Sequence, residues 1–178
     1  MMNAALEQDD YGVLTEPATL TIERLLPGPI ERVWAYLTES DMRRQWLASG
    51  TMEQKVGAPV ELVWLNDELT DPPGKRPEGH SDEHRMTVEV LEIDAPNLLR
   101  ISWGSTGGVT FKLEEKGANV LFTLVHHRVE DKDVLRNVSA GWHAHLALLK
   151  AKLRGETPAP HWDTWTRLRE EYIEHLGL

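Results

Sequence analysis

Between residues 85 and 127 four stretches alternate apolar and polar side chains, and only short clusters of turn-forming residues separate them. The stretches are 85–93, 98–103, 109–114 and 120–127. Between them lie Asp94-Ala95-Pro96-Asn97, the run from Gly104 to Gly108, and Lys116-Gly117-Ala118-Asn119. Period-two alternation is the pattern of a strand with one buried face. Parallel strands need a crossover of about a dozen residues, so connections this short dictate an antiparallel meander. A change of period follows. Leu135, Val138, Trp142, His145, Leu146, Leu149 and Leu153 recur at three- and four-residue steps, which predicts a long amphipathic helix over 131–154. Asp131 and Asp133 sit near its start, Lys150, Lys152 and Arg154 near its end, as the helix dipole favours, and Gly155 stops it.

The flanks complete an α+β plan. Residues 18–25 alternate as a strand and are broken by Pro27-Gly28-Pro29. Ile30, Val33, Trp34 and Leu37 then follow at helical spacing, with Pro29 placed where a helix start tolerates proline. A second short helix carries Met42, Trp46 and Leu47. Residues 51–56 and 60–65 read as two further strands around Gly57-Ala58-Pro59, and 66–83, rich in Asp, Glu, Pro and Gly, as a long loop. Beyond Pro158 and Pro160, the residues Trp165, Leu168, Tyr172 and Leu176 mark a last amphipathic helix. The expected organisation is an acidic flexible tail over 1–17, one domain over 18–155, and a linker with an appended helix over 156–178. The apolar stripe of that helix predicts docking on the outer face of the sheet or pairing with a second copy as a homodimer.

Charge narrows the function classes. The 178 residues hold 19 Lys and Arg against 29 Asp and Glu, a formal net charge of −10. Such a balance opposes binding to nucleic acid or to anionic lipid through a basic face. The acid is peripheral: 1–18, 66–83 and 155–178 carry −4, −4 and −3, whereas 19–65 and 84–154 carry −1 and +2. There is no cysteine, which excludes disulfides, thiolate nucleophiles and cysteine-ligated metals. The first seven residues show neither a basic n-region nor a long apolar stretch, so a cytoplasmic protein without a membrane span is expected.

This order of elements resembles the START-like or SRPBCC superfamily, and within it the group of activator of 90-kDa heat-shock protein ATPase homologues. The resemblance runs from about Leu20 to Gly155. It rests on Pro29-Ile30-Glu31-Arg32-Val33-Trp34-Ala35-Tyr36-Leu37 followed by Trp46, and on Val56-Gly57. Val88-Glu89-Val90 leading to Leu99-Arg100-Ile101-Ser102-Trp103 adds to it, as does Phe122-Thr123-Leu124-Val125-His126. The strongest piece is Ala140-Gly141-Trp142-His143-Ala144-His145-Leu146. Two departures stand out: Gly57-Ala58-Pro59 where the group often has a double glycine, and the long acidic loop 66–83. The resemblance implies a helix-grip fold, an antiparallel sheet of about six to seven strands curled around the long helix, with room for a ligand between them. It also implies two alternative roles, a co-chaperone acting on a heat-shock ATPase and a cyclase- or hydrolase-type enzyme.

Alternation places Met86, Trp103, Phe122 and His126 on inward faces, opposite Trp142 and His145 of the long helix. With Trp34 and Trp46 they form the expected lining of a cavity suited to an apolar or aromatic small molecule. Their alternative is to pack as core, the ordinary fate of tryptophan. His126 and His145 are the candidate proton carriers, because imidazole exchanges protons near neutral pH, and the resemblance also places a histidine at His126. No carboxylate is readable as their partner, so binding is expected ahead of catalysis. His143 and His145, two apart on a helix, diverge, and nothing completes a zinc spacing. No metal and no cofactor are expected.

Overall fold

The computed structural model describes residues 10–178. Seven strands form one antiparallel sheet: β1 (Val13–Glu16), β2 (Thr19–Pro27), β3 (Pro59–Trp64), β4 (His84–Asp94), β5 (Leu98–Ile101), β6 (Val109–Lys116) and β7 (Asn119–His126). Their spatial order is β1-β2-β7-β6-β5-β4-β3. The hairpins β4–β5, β5–β6 and β6–β7 are the meander that the turn spacing requires. β2 closes onto β7 along eight residue pairs, from Leu20 opposite His126 to Pro27 opposite Asn119. Val120, Phe122, Leu124 and His126 are buried while their neighbours along β7 are half-buried, so one face of the strand is core.

Helices α1 (Ile30–Thr38) and α2 (Ser40–Arg43) connect β2 to β3, and α3 (Lys132–Arg154) closes the core with Trp142, Leu146, Leu149 and Leu153. Asp131 caps α3, its carboxylate accepting from the backbone N–H of Asp133 and Val134 at 2.9 and 3.0 Å. Gly155 ends it at φ 67°, the left-handed conformation that glycine adopts without penalty. The result is an α+β helix-grip fold, a curved sheet around one long helix.

Three expectations change. Residues 51–56 are not a strand: apart from half-buried Met52 their side chains are exposed, so no buried face rewards pairing there. Only Ser49 bridges to Val63. Conversely, β1 lies inside the segment expected as a flexible tail. Its four residues are all exposed, which erases the alternation a reader relies on, and it is held by its ladder to β2. Residues 1–9 of that segment fall outside the described residues.

The last helix, α4 (His161–Leu176), does not cover the outer sheet face. It packs on α3, where Ala140 and Ala144 admit close approach and meet Trp162, Trp165, Leu168 and Tyr172. The stripe that raised a homodimer is thus buried within the chain. Residues 66–83 bind the start of α4. Trp162 Nε1 donates to Asp67 Oδ1 at 2.7 Å and its backbone N–H to the Pro73 carbonyl at 3.0 Å. The His161 N–H donates to Thr70 Oγ1 at 3.0 Å, and the Lys75 N–H to Asp163 Oδ1 at 3.0 Å. At the far end of α4, the Gly12 N–H donates to the Tyr172 hydroxyl at 2.7 Å, and Tyr11 donates to Glu171 at 2.9 Å.

The α1–α2 corner is tied by one buried cation. Arg43 is 2% exposed. Its Nε donates to the Ala48 carbonyl at 3.1 Å, Nη1 to the carbonyls of Leu37 and Thr38 at 3.2 and 3.3 Å, and Nη2 to that of Gly50. Burial lowers its pKa to about 10, which still leaves the guanidinium charged at neutral pH. Replacing it leaves four carbonyl oxygens short of a donor in a dry corner. Arg43→Met should therefore cost about 4 kcal/mol of unfolding free energy or more in urea titrations, each buried acceptor left unmatched counting for about 1 kcal/mol or more.

Candidate functional site

Where α3, α4, the β3–β4 hairpin and residues 66–83 meet, they leave a cleft of about 390 Å³. The hairpin contributes Trp64, His84 and Met86, all on one face because they alternate or pair across the ladder; Trp64 stands opposite His84. Trp103 follows the end of β5. From α3 come Asn137, Val138, Gly141, Trp142 and His145, one face at helical spacing. From α4 come His161, Trp162 and Trp165; residues 66–83 add Asn66, Gly79, His80 and Ser81, and Leu47 completes the wall.

Aromatic edges and faces interlock around this space. Trp103 meets Trp64 edge-on at 5.6 Å and Trp142 at 5.0 Å between ring centroids. His80 packs on Trp165 at 5.0 Å, and Trp165 on Trp162 at 6.1 Å. Gly141 keeps the α3 side open: a Cβ there would meet Trp165 Nε1 at 3.9 Å. Five of the seven tryptophans line the cleft, and among the described residues no Asp, Glu, Lys or Arg does. The acidity of residues 66–83 is spent elsewhere, on α4 through Asp67 and on Arg76, which pairs with Asp67 at 2.6 Å.

Of the side chains expected at a cavity, Met86, Trp103, Trp142 and His145 come together here. Trp34, Trp46, Phe122 and His126 lie in packed interior instead. Trp34 Nε1 donates to Gln54 Oε1 at 3.1 Å, and Trp46 Nε1 to the Tyr36 carbonyl at 2.8 Å. Phe122 packs against Phe111 at 6.0 Å. His126 sits behind the tryptophans. Trp142 Nε1–H donates to its Nδ1 at 3.0 Å, so the neutral ring carries its proton on Nε2. That proton goes to Thr106 Oγ1 at 3.0 Å, whose own hydroxyl donates to the Trp103 carbonyl at 2.7 Å. Both nitrogens are occupied, and His126 orients Trp142 rather than meeting a ligand.

The second half of the lining escaped the sequence reading. Trp64 was legible as the inward end of the Val60, Leu62, Trp64 alternation. Trp165 was legible as part of an apolar stripe, with Trp162 three residues before it, but neither as a wall, because α4 was expected elsewhere. His143 and His145 diverge as their spacing demands, His143 Nδ1 meeting the Tyr172 hydroxyl at 2.8 Å and His145 Nδ1 the Trp46 carbonyl at 2.7 Å. Among the described residues no three His, Asp or Glu converge to hold a metal ion. Nor is any described helix long and apolar enough to cross a membrane.

A helix-grip sheet with an apolar space beside its long helix defines the class, an SRPBCC-type domain. The chain belongs to the family described as activator of Hsp90 ATPase homolog 1-like protein, whose model matches residues 27–154. It is similar to a protein of Bordetella parapertussis solved by NMR, at 35% identity and a TM-score of 0.78, over 93% of this chain and 90% of that one. The fold also matches CalU16 from Micromonospora echinospora, at 22% identity and a TM-score of 0.65, over 89% and 87% of the two chains. A protein of unknown function from Enterococcus faecalis aligns at 20% identity and a TM-score of 0.66, over 90% and 86%. No curated protein matches the chain.

Three imidazoles around this region are held neutral. Burial lowers the pKa of His126 to about 4, helped by nearby His127, and that of His145 to about 4 against the Trp46 carbonyl, which opposes the shift. Burial and His145 push His161 lower still. An unfolded histidine titrates near pH ~6.5, so the unfolded chain takes up protons that the native one refuses as pH falls below that value. Native stability is therefore complete above about pH 7 and declines between ~6.5 and 4, each ring contributing up to ~1.4 kcal/mol per pH unit. Urea unfolding at pH 7.5, 6 and 5 should show the decline, and the three imidazole carbon resonances should not shift between pH 8 and 5.5.

Proposed function

We propose that the chain binds a small, uncharged, mostly apolar or aromatic molecule in this cleft. One observation carries the reading: a space of about 390 Å³ walled by five tryptophans and by no formally charged side chain. Cavities of roughly 300–1,000 Å³ that combine an apolar wall with a few polar groups are the usual form of a small-molecule site. Ring faces and edges offer dispersion contact to a flat ligand, while a bare charge entering the space meets no counter-charge among the lining residues. Membership of a family of ligand-binding type supports the same conclusion at a coarser level.

Binding is favoured over catalysis by the state of the histidines. His126 has neither a free lone pair nor a free proton. His145 borders the cleft but takes its orientation from a backbone carbonyl, and no carboxylate lines the space to form an acid–base pair with it.

Gly141 offers a direct test. Leucine at this position projects into the cleft, and leaving glycine in mid-helix gains up to ~1 kcal/mol of helix propensity. Gly141→Leu should weaken binding of a neutral bicyclic aromatic such as 2-methoxynaphthalene at least tenfold by calorimetry, with circular dichroism to establish folding. Unchanged affinity in that variant, or no saturable binding of either this ether or the corresponding naphthol by the parent protein, defeats the proposal. A co-chaperone role makes a separate demand, that the chain accelerate ATP hydrolysis by a 90-kDa heat-shock protein; ligand binding expects no change in that rate.

A further inference from the structure

Two polar side chains border the cleft with their hydrogen bonding incomplete. His145 is fixed in one tautomer, because its Nδ1 lies 2.7 Å from a carbonyl oxygen that only accepts. Its proton is therefore on Nδ1, and Nε2 presents a lone pair that no side chain or backbone group among the described residues takes up. His161 stands beside it, ring centroids 4.8 Å apart, as the first residue of α4. It is 2% exposed, and its Nδ1 is buried without a partner. Buried polar atoms are nearly always paired, so the lone His161 Nδ1, beside a His145 ring whose Nε2 is left open at the wall of the cleft, points to a ligand group that engages this pair.

We propose that His145 and His161 form a hydrogen-bonding subsite on the α3–α4 side of the cleft that selects neutral aromatic hydroxyl compounds, a phenol being the simplest. The inference rests on the ligand-binding reading above and names the class of molecule. A hydroxyl donates to His145 Nε2, and its oxygen accepts from His161, whose ring proton no hydrogen bond among the described residues fixes to one nitrogen. A carboxylate brings no proton for Nε2 and finds no cation in the lining. An ammonium finds no carboxylate there. The ring that bears the hydroxyl is met by Trp103, Trp162 and Trp165. Burial keeps both imidazoles neutral across the physiological range, so the lone pair on His145 stays available. His161 lies outside the segment 27–154 that matches the family model, so half of this subsite comes from beyond that segment.

The test compares 2-naphthol with 2-methoxynaphthalene, which keeps the ring and the oxygen but lacks the donor proton. Affinities are measured by calorimetry for the full chain and for His145→Phe and His161→Phe, with circular dichroism to establish folding. The parent protein should prefer the naphthol at least tenfold, a difference of about 1.4 kcal/mol. Each variant should lose most of that preference while holding the ether as before. Should His145→Phe fail to fold, His161→Phe and the parent comparison still decide the matter. Equal affinity of the parent for the two probes overturns the subsite and leaves the cleft as a binding site. A preference that survives in the folded variants also overturns it. Failure of both probes to bind removes the ligand-binding reading itself.

Discussion

α3 buries side chains on more than one face, and the two demands differ in kind. Towards the sheet it carries Trp142, Leu146, Leu149 and Leu153, large groups that fill the curve of the strands. Towards α4 it carries Ala140 and Ala144, small groups that let a second helix come close. Gly141 sits between these faces. A helix bulky all round would hold α4 at arm's length, and one that was small all round would leave the sheet unfilled. This asymmetry, placed within five residues of one another, produces both a packed interior and an adjoining space that is not packed.

The interior tolerates polar groups only where each is matched. His126 accepts a hydrogen bond from Trp142 and donates one to Thr106, so a chain of hydrogen bonds runs from α3 through β7 into the turn after β5. Arg43 does the same for the α1–α2 corner, its donors spread over four backbone carbonyls in place of a carboxylate. Both arrangements specify geometry as much as stability. The orientation of the Trp142 indole, and with it one wall of the cleft, is inherited from a histidine that never reaches the cleft.

Most of the fold was legible because it depends on local signals. Turn clusters at 94–97, 104–108 and 116–119 fixed the meander, and the change of period at Leu135 fixed the long helix. The errors came where tertiary contact outweighs local pattern. β1 has no buried face and exists through its ladder to β2 and the anchoring of Tyr11 and Gly12 on α4. Residues 51–56 sit beside a turn signal as a strand would but lack a surface to cover. The site was half legible for a related reason. Periodicity tells which side of an element faces inward, and Met86, Trp103, Trp142 and His145 follow from it. It does not tell whether the inward side meets atoms or space, so Phe122 and His126 carried the same signature while lying in solid core. The other half depends on where α4 docks, which rests on bonds to residues 66–83 that no period announces.

Both ends of the described chain meet on the same helix. Tyr11 stacks on His175 at 3.6 Å between centroids, Gly12 bonds to Tyr172, and residues 66–83 grip the opposite end of α4 at His161 and Trp162. These parts hold the outer wall of the cleft, while the sheet and α3 supply the inner one. α4 lies entirely beyond the stretch that matches the family model. The outer wall therefore joins a segment inside that stretch, residues 66–83, to a helix beyond it. The wall that closes the cleft from outside is thus set by long-range contacts between segments far apart in the chain, while the wall behind it is set by the sheet and its helix.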